Sequence, residues 1–323
     1  MRLFALCLLA ISLPAAAQRL PNAGTEPPLD AASLFDDGSS LDGNPGGLGF
    51  VRGMELDWLH DSGYQSGQNR SESFLLTGGL GGLTLGAGLD FLRRTVATGT
   101  IEQTPGGIFV PLLTEVWFRR LSLGLGLQLG QLGLGATYRS TSGGDPFHRE
   151  ASLDLGVILR PLPFLAIGAA AFDANTPTDA QPRRWDLSVG LRPLSFTKGA
   201  FSELEVAGDL RWSECPNTIL GLCGFDNKEW FATMSAPIAR GVRVLGQLGF
   251  LQATQVSGLV GLQFDLGHLG ATYAARVQPG NPGNPEQLWR LRLSSQQWEG
   301  ADLNAAHAVE IDLKTALERP RLA

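Results

Sequence analysis

No stretch of this chain after its first dozen residues approaches the roughly 20 uninterrupted apolar residues that a membrane-spanning helix requires. Charge is also scarce, at 17% of 323 residues, and the formal balance of −6 gives no basic surface for a nucleic-acid partner. Histidines number four (His60, His148, His268 and His307), and none has a serine and an orienting group placed beside it on one strand. His60, Asp61 and Ser62 are adjacent, but neighbours in a strand point to opposite faces and cannot form a relay. The reading is therefore not an enzyme, and no cofactor is expected. The glycine runs "GGLGGLTLGAG" and "LGLGLQLGQLGLG" lack the strand-to-helix context and the GK[ST] of a phosphate loop. Cysteines number three. Cys7 falls in an apolar leader. Cys215 and Cys223 lie in one short polar loop with too few other ligands for a metal site. In an exported protein they predict a disulfide.

Export follows from the start, "MRLFALCLLAISLPAAAQ": one early arginine, an apolar core, then Ala15-Ala16-Ala17. Residues 1–17 read as a secretory signal peptide.

What the chain has in plenty is glycine, 42 residues, and a period of two. In "LTLGAGLDFLRR", Leu83, Leu85, Ala87, Leu89 and Phe91 share one parity, and Thr84, Gly86, Gly88 and Asp90 the other. A strand sends these sets to opposite faces. About fourteen such segments follow one another, starting near Phe50, Ser71, Leu83, Thr114, Leu132, Glu150, Phe164, Arg183, Ser202, Lys228, Val242, Gln255, Leu269 and Gln287. In Thr114–Leu129 the parity slips at Phe118–Arg120, which predicts a bulge. Tight links alternate with long polar ones such as "DSGYQSGQNR", "VATGTIEQTPGGIF" and "NTPTDAQP". Short turns on one side and long loops on the other describe an up-and-down membrane barrel. Trp58, Trp117, Trp185, Trp212, Trp230 and Trp289 then all fall at the long-loop end, as an interfacial girdle would.

The fold class is thus all-β, a transmembrane antiparallel barrel of about 14 strands in the outer membrane of a Gram-negative cell. The domains are an N-terminal periplasmic or plug segment (18–49), the barrel (50–298) and a periplasmic tail (299–323). The leucine face meets lipid. The other face supplies a charged lumen lining: Glu55, Asp57, Asp90, Arg139, Asp154, Arg160, Asp186, Arg192, Glu203, Glu205, Asp209, Arg211, Asp265, Arg276, Arg290 and Arg292. Neutralising cross-strand pairs are expected there.

Before the first strand stands Asn44-Pro45-Gly46-Gly47. This Asn-Pro-small-Gly segment resembles that of the FadL-like outer-membrane transport family, which includes the PorV-type barrels of secretion systems. The resemblance implies a fourteen-stranded barrel plugged by residues near Gln18 to Gly49, passing fatty acids or other hydrophobic compounds. The segment here is short and the lumen charged, which leaves a second reading open: a PorV-like barrel that anchors a periplasmic or surface partner. The tail "AVEIDLKTAL" (Ala308–Leu317) resembles the first strand of signal-peptide-peptidase-type domains.

Overall fold

The computed structural model describes residues 24–29, 31–63, 69–103, 109–144, 149–175, 183–196, 200–213, 228–239, 241–251, 255–277 and 284–296. The expected signal peptide, Cys215, Cys223, Trp298 and the 299–323 tail lie outside them.

Fourteen strands follow in chain order: β1 (Gly53–Asp61), β2 (Ser71–Leu80), β3 (Leu83–Gln103), β4 (Phe109–Leu129), β5 (Leu132–Gly143), β6 (Ala151–Leu162) and β7 (Leu165–Phe172), then β8 (Arg184–Leu191), β9 (Glu205–Ser213), β10 (Lys228–Ala239), β11 (Val242–Leu251), β12 (Gln255–Leu266), β13 (Leu269–Val277) and β14 (Glu286–Ser294). Each pairs antiparallel with its neighbours in sequence, and β1 closes on β14 from Glu55↔Ser294 to Asp61↔Leu288. The result is a closed transmembrane barrel, in which every strand edge is paired. Tight links such as Gly81-Gly82, with φ of 60° and 87°, turn the chain at one end. Glycine adopts this left-handed backbone without steric cost.

The period of two becomes inside and outside. Leu85, Leu125 and Val260 are 62%, 50% and 68% exposed on the outer surface, whereas their neighbours Thr84, Gly124 and Leu259 face a filled interior. An exposed leucine belt of this extent is sensible only against lipid. Arginine in place of Leu125 is expected to lower barrel stability by about 2–4 kcal/mol, the cost of a guanidinium near mid-membrane. Urea unfolding in lipid vesicles measures it, with the same change at the tight-turn residue Gln131 as the near-neutral control.

Three sequence expectations need correction. The bulge expected at Phe118–Arg120 is absent: β3 and β4 pair without a break from Leu83↔Leu127 to Ala97↔Leu113, and the register shifts only between Ala97 and Ile101. The apparent slip is a change of surroundings. β3 and β4 run for 21 residues each, about twice what a tilted strand needs to cross the bilayer. Beyond Leu121 the strand leaves the apolar band, so Phe118 can face in and Arg119 out with the parity unchanged. For the same reason most of "VATGTIEQTPGGIF", expected as a loop, is strand. The links also alternate less regularly than expected, since β11 and β12 are separated by residues 252–254 alone. The paired strands run from Gly53 to Ser294, and a short 3-10 helix (Pro45–Phe50) precedes them.

Candidate functional site: a filled lumen

The segment Gly24–Val51 lies inside the barrel. All but a few of its described residues are buried, and their contacts are with lumen-facing side chains and backbone. Two 3-10 helices, Gly38–Leu41 and Pro45–Phe50, shape it. Asp37 and Asn44 cap them, each accepting from the backbone N–H two residues on.

Glycine in the wall is what makes room. A methyl built on Gly135 would overlap the Pro45 carbonyl, and one on Gly156 would meet the Asn44 side chain. Gly168 backs onto Ala32, Gly124 and Gly126 onto Leu41 and Leu48, and Gly190 onto Leu34. These glycines sit on neighbouring strands β4 to β8, so the segment lies directly against one side of the wall. Leu41, Leu48, Val51, Leu59 and Leu75 form an apolar cluster between segment and wall.

The motif Asn44-Pro45-Gly46-Gly47 now has physical roles. The Asn44 amide donates to the carbonyls of Ala32 (2.7 Å) and Val157 (3.1 Å), tying two parts of the segment to β6. Pro45 opens the 3-10 helix, where its missing N–H is no loss. A Cβ on Gly46 would stand 2.7 Å from the backbone of Val157, and one on Gly47 2.6 Å from the Phe35 carbonyl. Only glycine fits either place.

Charge fixes the segment as well. Its acidic side chains meet arginines of the wall: Glu26 pairs with Arg276, Asp36 with Arg160 (3.2 Å), Asp37 with Arg290 (2.7 Å) and Asp42 with Arg120 (2.7 Å). Arg292 and Arg139 stand 4.0 and 3.8 Å from Asp37 and Asp42. The Arg160 guanidinium also covers the Phe50 ring at 4.1 Å. Burial works against the charge on Asp37, but Arg290 and Arg292 outweigh it and hold its carboxyl down to about 2. Asp42 is pushed up to about 7, first by burial and then by the Asp90 carboxylate, against the pull of Arg120 and Arg139. Asp42 and Asp90 share the single guanidinium of Arg120.

The expected lumen residues occupy these places. Asp57 pairs with Arg290 (2.8 Å), Asp90 with Arg120 (2.7 Å), Arg139 with Asp154 (2.5 Å), Arg192 with Glu205 (2.6 Å) and Arg292 with Asp265 (3.0 Å). Asp186 lies between Arg184 and Arg211, at 3.1 and 3.6 Å. Glu55 accepts from Gly38 N (2.7 Å) and Asp209 from Ala32 N (2.9 Å), so these wall carboxylates hold the segment too. Glu203 departs from expectation. It belongs to a short 3-10 turn (Ala200–Glu203) before β9 and is half exposed, paired with Arg243 at 3.2 Å. The chain needs a turn there, so the strand begins two residues later.

Sequence reasoning missed the four segment acids and the wall arginines Arg94, Arg120 and Arg243. The expected bulge concealed Arg120. Unbroken parity back from Ser122 would have placed it inside, opposite Asp90.

Six tryptophans are on the outward parity, in the half of each strand remote from the tight turns. Trp117, Trp230 and Trp289 are 62%, 55% and 40% exposed. Trp58 stacks on His60, and Trp185 on Trp212, at 5.8 and 6.2 Å between centroids. The His268 ring hydrogen-bonds the Ser294 carbonyl at a tight turn. Leu259, Ala274 and Leu288 form an apolar strip on the lumen face of β12–β14. At the tight-turn end a shallow polar recess is lined by Gln263, Asp265, Gly270, Thr272, Arg290 and Arg292.

No protein-family model matches the chain, and no curated protein matches it. Solved structures do. The toluene transporter TbuX of Ralstonia pickettii is 12% identical, with a TM-score of 0.56 over 86% of this chain and 100% of that one. The monoaromatic hydrocarbon channel CymD is 10% identical, with a TM-score of 0.56 over 87% and 99%. The chain shares their fold. The toluene transporter TodX of P. putida is similar at 10% identity, with a TM-score of 0.50 over 85% and 97%. Such identities carry the fold alone, an all-β, closed barrel.

Proposed function

We propose that this chain is an outer-membrane channel for small hydrophobic compounds, closed in this conformation by its N-terminal segment. The observation that carries the reading is the filled lumen. A barrel that passed water and ions freely would have an open polar bore. This one has its own chain packed inside, against glycines and paired arginines. The described toluene and hydrocarbon channels of the same fold support the substrate class, as does the strip of Leu259, Ala274 and Leu288. The tight turns are then periplasmic and the long links face outward. A channel of this kind carries no reaction of its own.

Purified protein in liposomes tests the reading. Toluene entry should exceed that of empty vesicles for the full chain, and deleting Asn44–Gly49 should change it and admit a small sugar. Equal toluene entry with the full chain, the deletion and no protein would defeat the proposal.

A further inference from the structure

Three arginines stand on the lipid-facing parity of adjacent strands. Counted from the tight-turn end, Arg70 is the eleventh residue along β2 and its continuation (80 to 70), Arg93 the eleventh along β3 (83 to 93) and Arg119 the eleventh along β4 (129 to 119). Below them, past Glu72 on β2, the same parity is apolar: Phe74 and Leu76 on β2, Leu85, Leu89 and Phe91 on β3, and Leu121 to Leu129 on β4. Ten steps of about 3.3 Å along a strand tilted by about 40° rise about 25 Å, the height of a barrel's apolar band. The arginines therefore share one plane, at the outer edge of the hydrocarbon.

Their setting is prepared. The Arg93 guanidinium lies over the Trp117 ring at 5.3 Å, and that of Arg119 over Phe91 at 5.8 Å. Stacking holds the planar group; the N–H edge of Arg119 is left for an anion, whereas that of Arg93 faces the Glu115 carboxylate, which a phosphate would have to displace or share. Arg70 pairs with Glu72 and Arg93 with Glu115. Among the described residues Arg119 makes no ion pair with a carboxylate, so the patch carries an excess of positive charge. Three strands about 4.8 Å apart spread the cations over about 10 Å, a span that fits two separated phosphates better than one. Above the patch, the remaining lengths of β3 and β4 continue out of the membrane.

We propose that this patch binds the bisphosphorylated glycolipid headgroup of the outer leaflet, with Arg70, Arg93 and Arg119 as its phosphate ligands. The proposal rests on the outer-membrane reading above. It concerns the barrel's outer wall and is independent of what passes through the lumen.

The test uses the full chain in nanodiscs, with bisphosphoryl lipid A and monophosphoryl lipid A as probes, and native mass spectrometry as the readout. The variants are Arg70→Gln/Arg93→Gln/Arg119→Gln together, the same three changed to lysine, and Lys228→Gln as a control on the outward face of β10. Binding of the bisphosphoryl lipid should fall about tenfold or more in the glutamine variant. It should fall less in the lysine variant, which keeps the charge but loses the planar fork, and should be unchanged in Lys228→Gln. Monophosphoryl lipid should bind the unmodified chain more weakly. If the glutamine variant does not fold, as judged by heat-modifiable gel mobility, the lysine variant and the two lipids decide. Equal binding by the unmodified chain and the folded triple variant, or of the two lipids by the unmodified chain, would overturn the site. Membrane fractionation of the same cells reads the location separately. A chain found in the outer membrane that ignores lipid phosphates defeats this inference alone, and a chain absent from that membrane defeats the reading beneath it.

Discussion

Valine in place of Gly135 will open the lumen and leave the barrel folded. The site faces inward from β5, and even a methyl there overlaps the carbonyl of Pro45. The obstacle is backbone on both sides, so no rotamer change relieves it. The wall cannot retreat, because Gly135 is paired with Gly126 on β4 and Gly156 on β6. The segment must move, and its hold near Asn44 goes with it. The single-channel conductance in planar bilayers should rise from a low level to that of an open barrel. Ser188 supplies a second readout. It is 3% exposed because Ser33 of the segment lies 2.7 Å from it. A cysteine at Ser188 should resist a small aqueous thiol reagent in the otherwise native chain and react in the Gly135→Val background. Heat-modifiable gel mobility should stay native in both. A closed channel with unreactive Cys at Ser188 in the Gly135→Val chain would show that the glycine wall does not determine how the segment seats.

Replacing Arg120 by methionine should be the most destabilising single change in the lumen, at about 3–5 kcal/mol. That is the usual result of removing one partner from a buried ion pair and leaving the other charged. Arg120 is 1% exposed and holds Asp42 of the segment and Asp90 of the wall at 2.7 Å each. Without it two carboxylates face each other in a dry interior. Changing Asp42 and Asp90 to asparagine in the same chain should restore most of the loss, because the cost lies in the orphaned charges more than in the missing attraction. Urea unfolding followed by tryptophan fluorescence reads all three proteins. Equal stability of the Arg120→Met chain and the unmodified one would mean that water reaches the site and screens it.

How much of this was legible in the sequence depended on what the signal measured. Alternation reports which face is apolar, and lipid imposes it on every strand, so eleven strand starts fall within one residue of those read from the pattern and only β1, β4 and β9 differ by more than one. Alternation stops reporting where the strand leaves the membrane. Both faces of β3 and β4 are mixed beyond Leu92 and Leu121, and a continuous ladder there imitates a slip followed by a loop. The lumen charges were legible one strand at a time. Their partners were not, since Asp37 and Arg290 are separated by most of the chain and no local pattern joins them. The glycines showed that something lies close to the wall. The resemblance carried by Asn44–Gly47 pointed to the N-terminal segment as that object, while its individual contacts with the wall follow only from three-dimensional structure.

The N-terminal segment runs without interruption into β1, and β1 joins the last strand, with Glu55 against Ser294. This has a consequence for biogenesis. The seam between the first and last strands brings together residues more than two hundred positions apart, the slowest kind of contact for a chain to make. The segment is continuous with that seam and its acids pair with arginines of β4, β6, β13 and β14, so threading it into a finished cylinder would carry each carboxylate in unpaired. Wrapping the strands around the segment avoids that cost, and the segment would then serve as an internal mandrel for the circumference before the final zipper of hydrogen bonds is drawn shut.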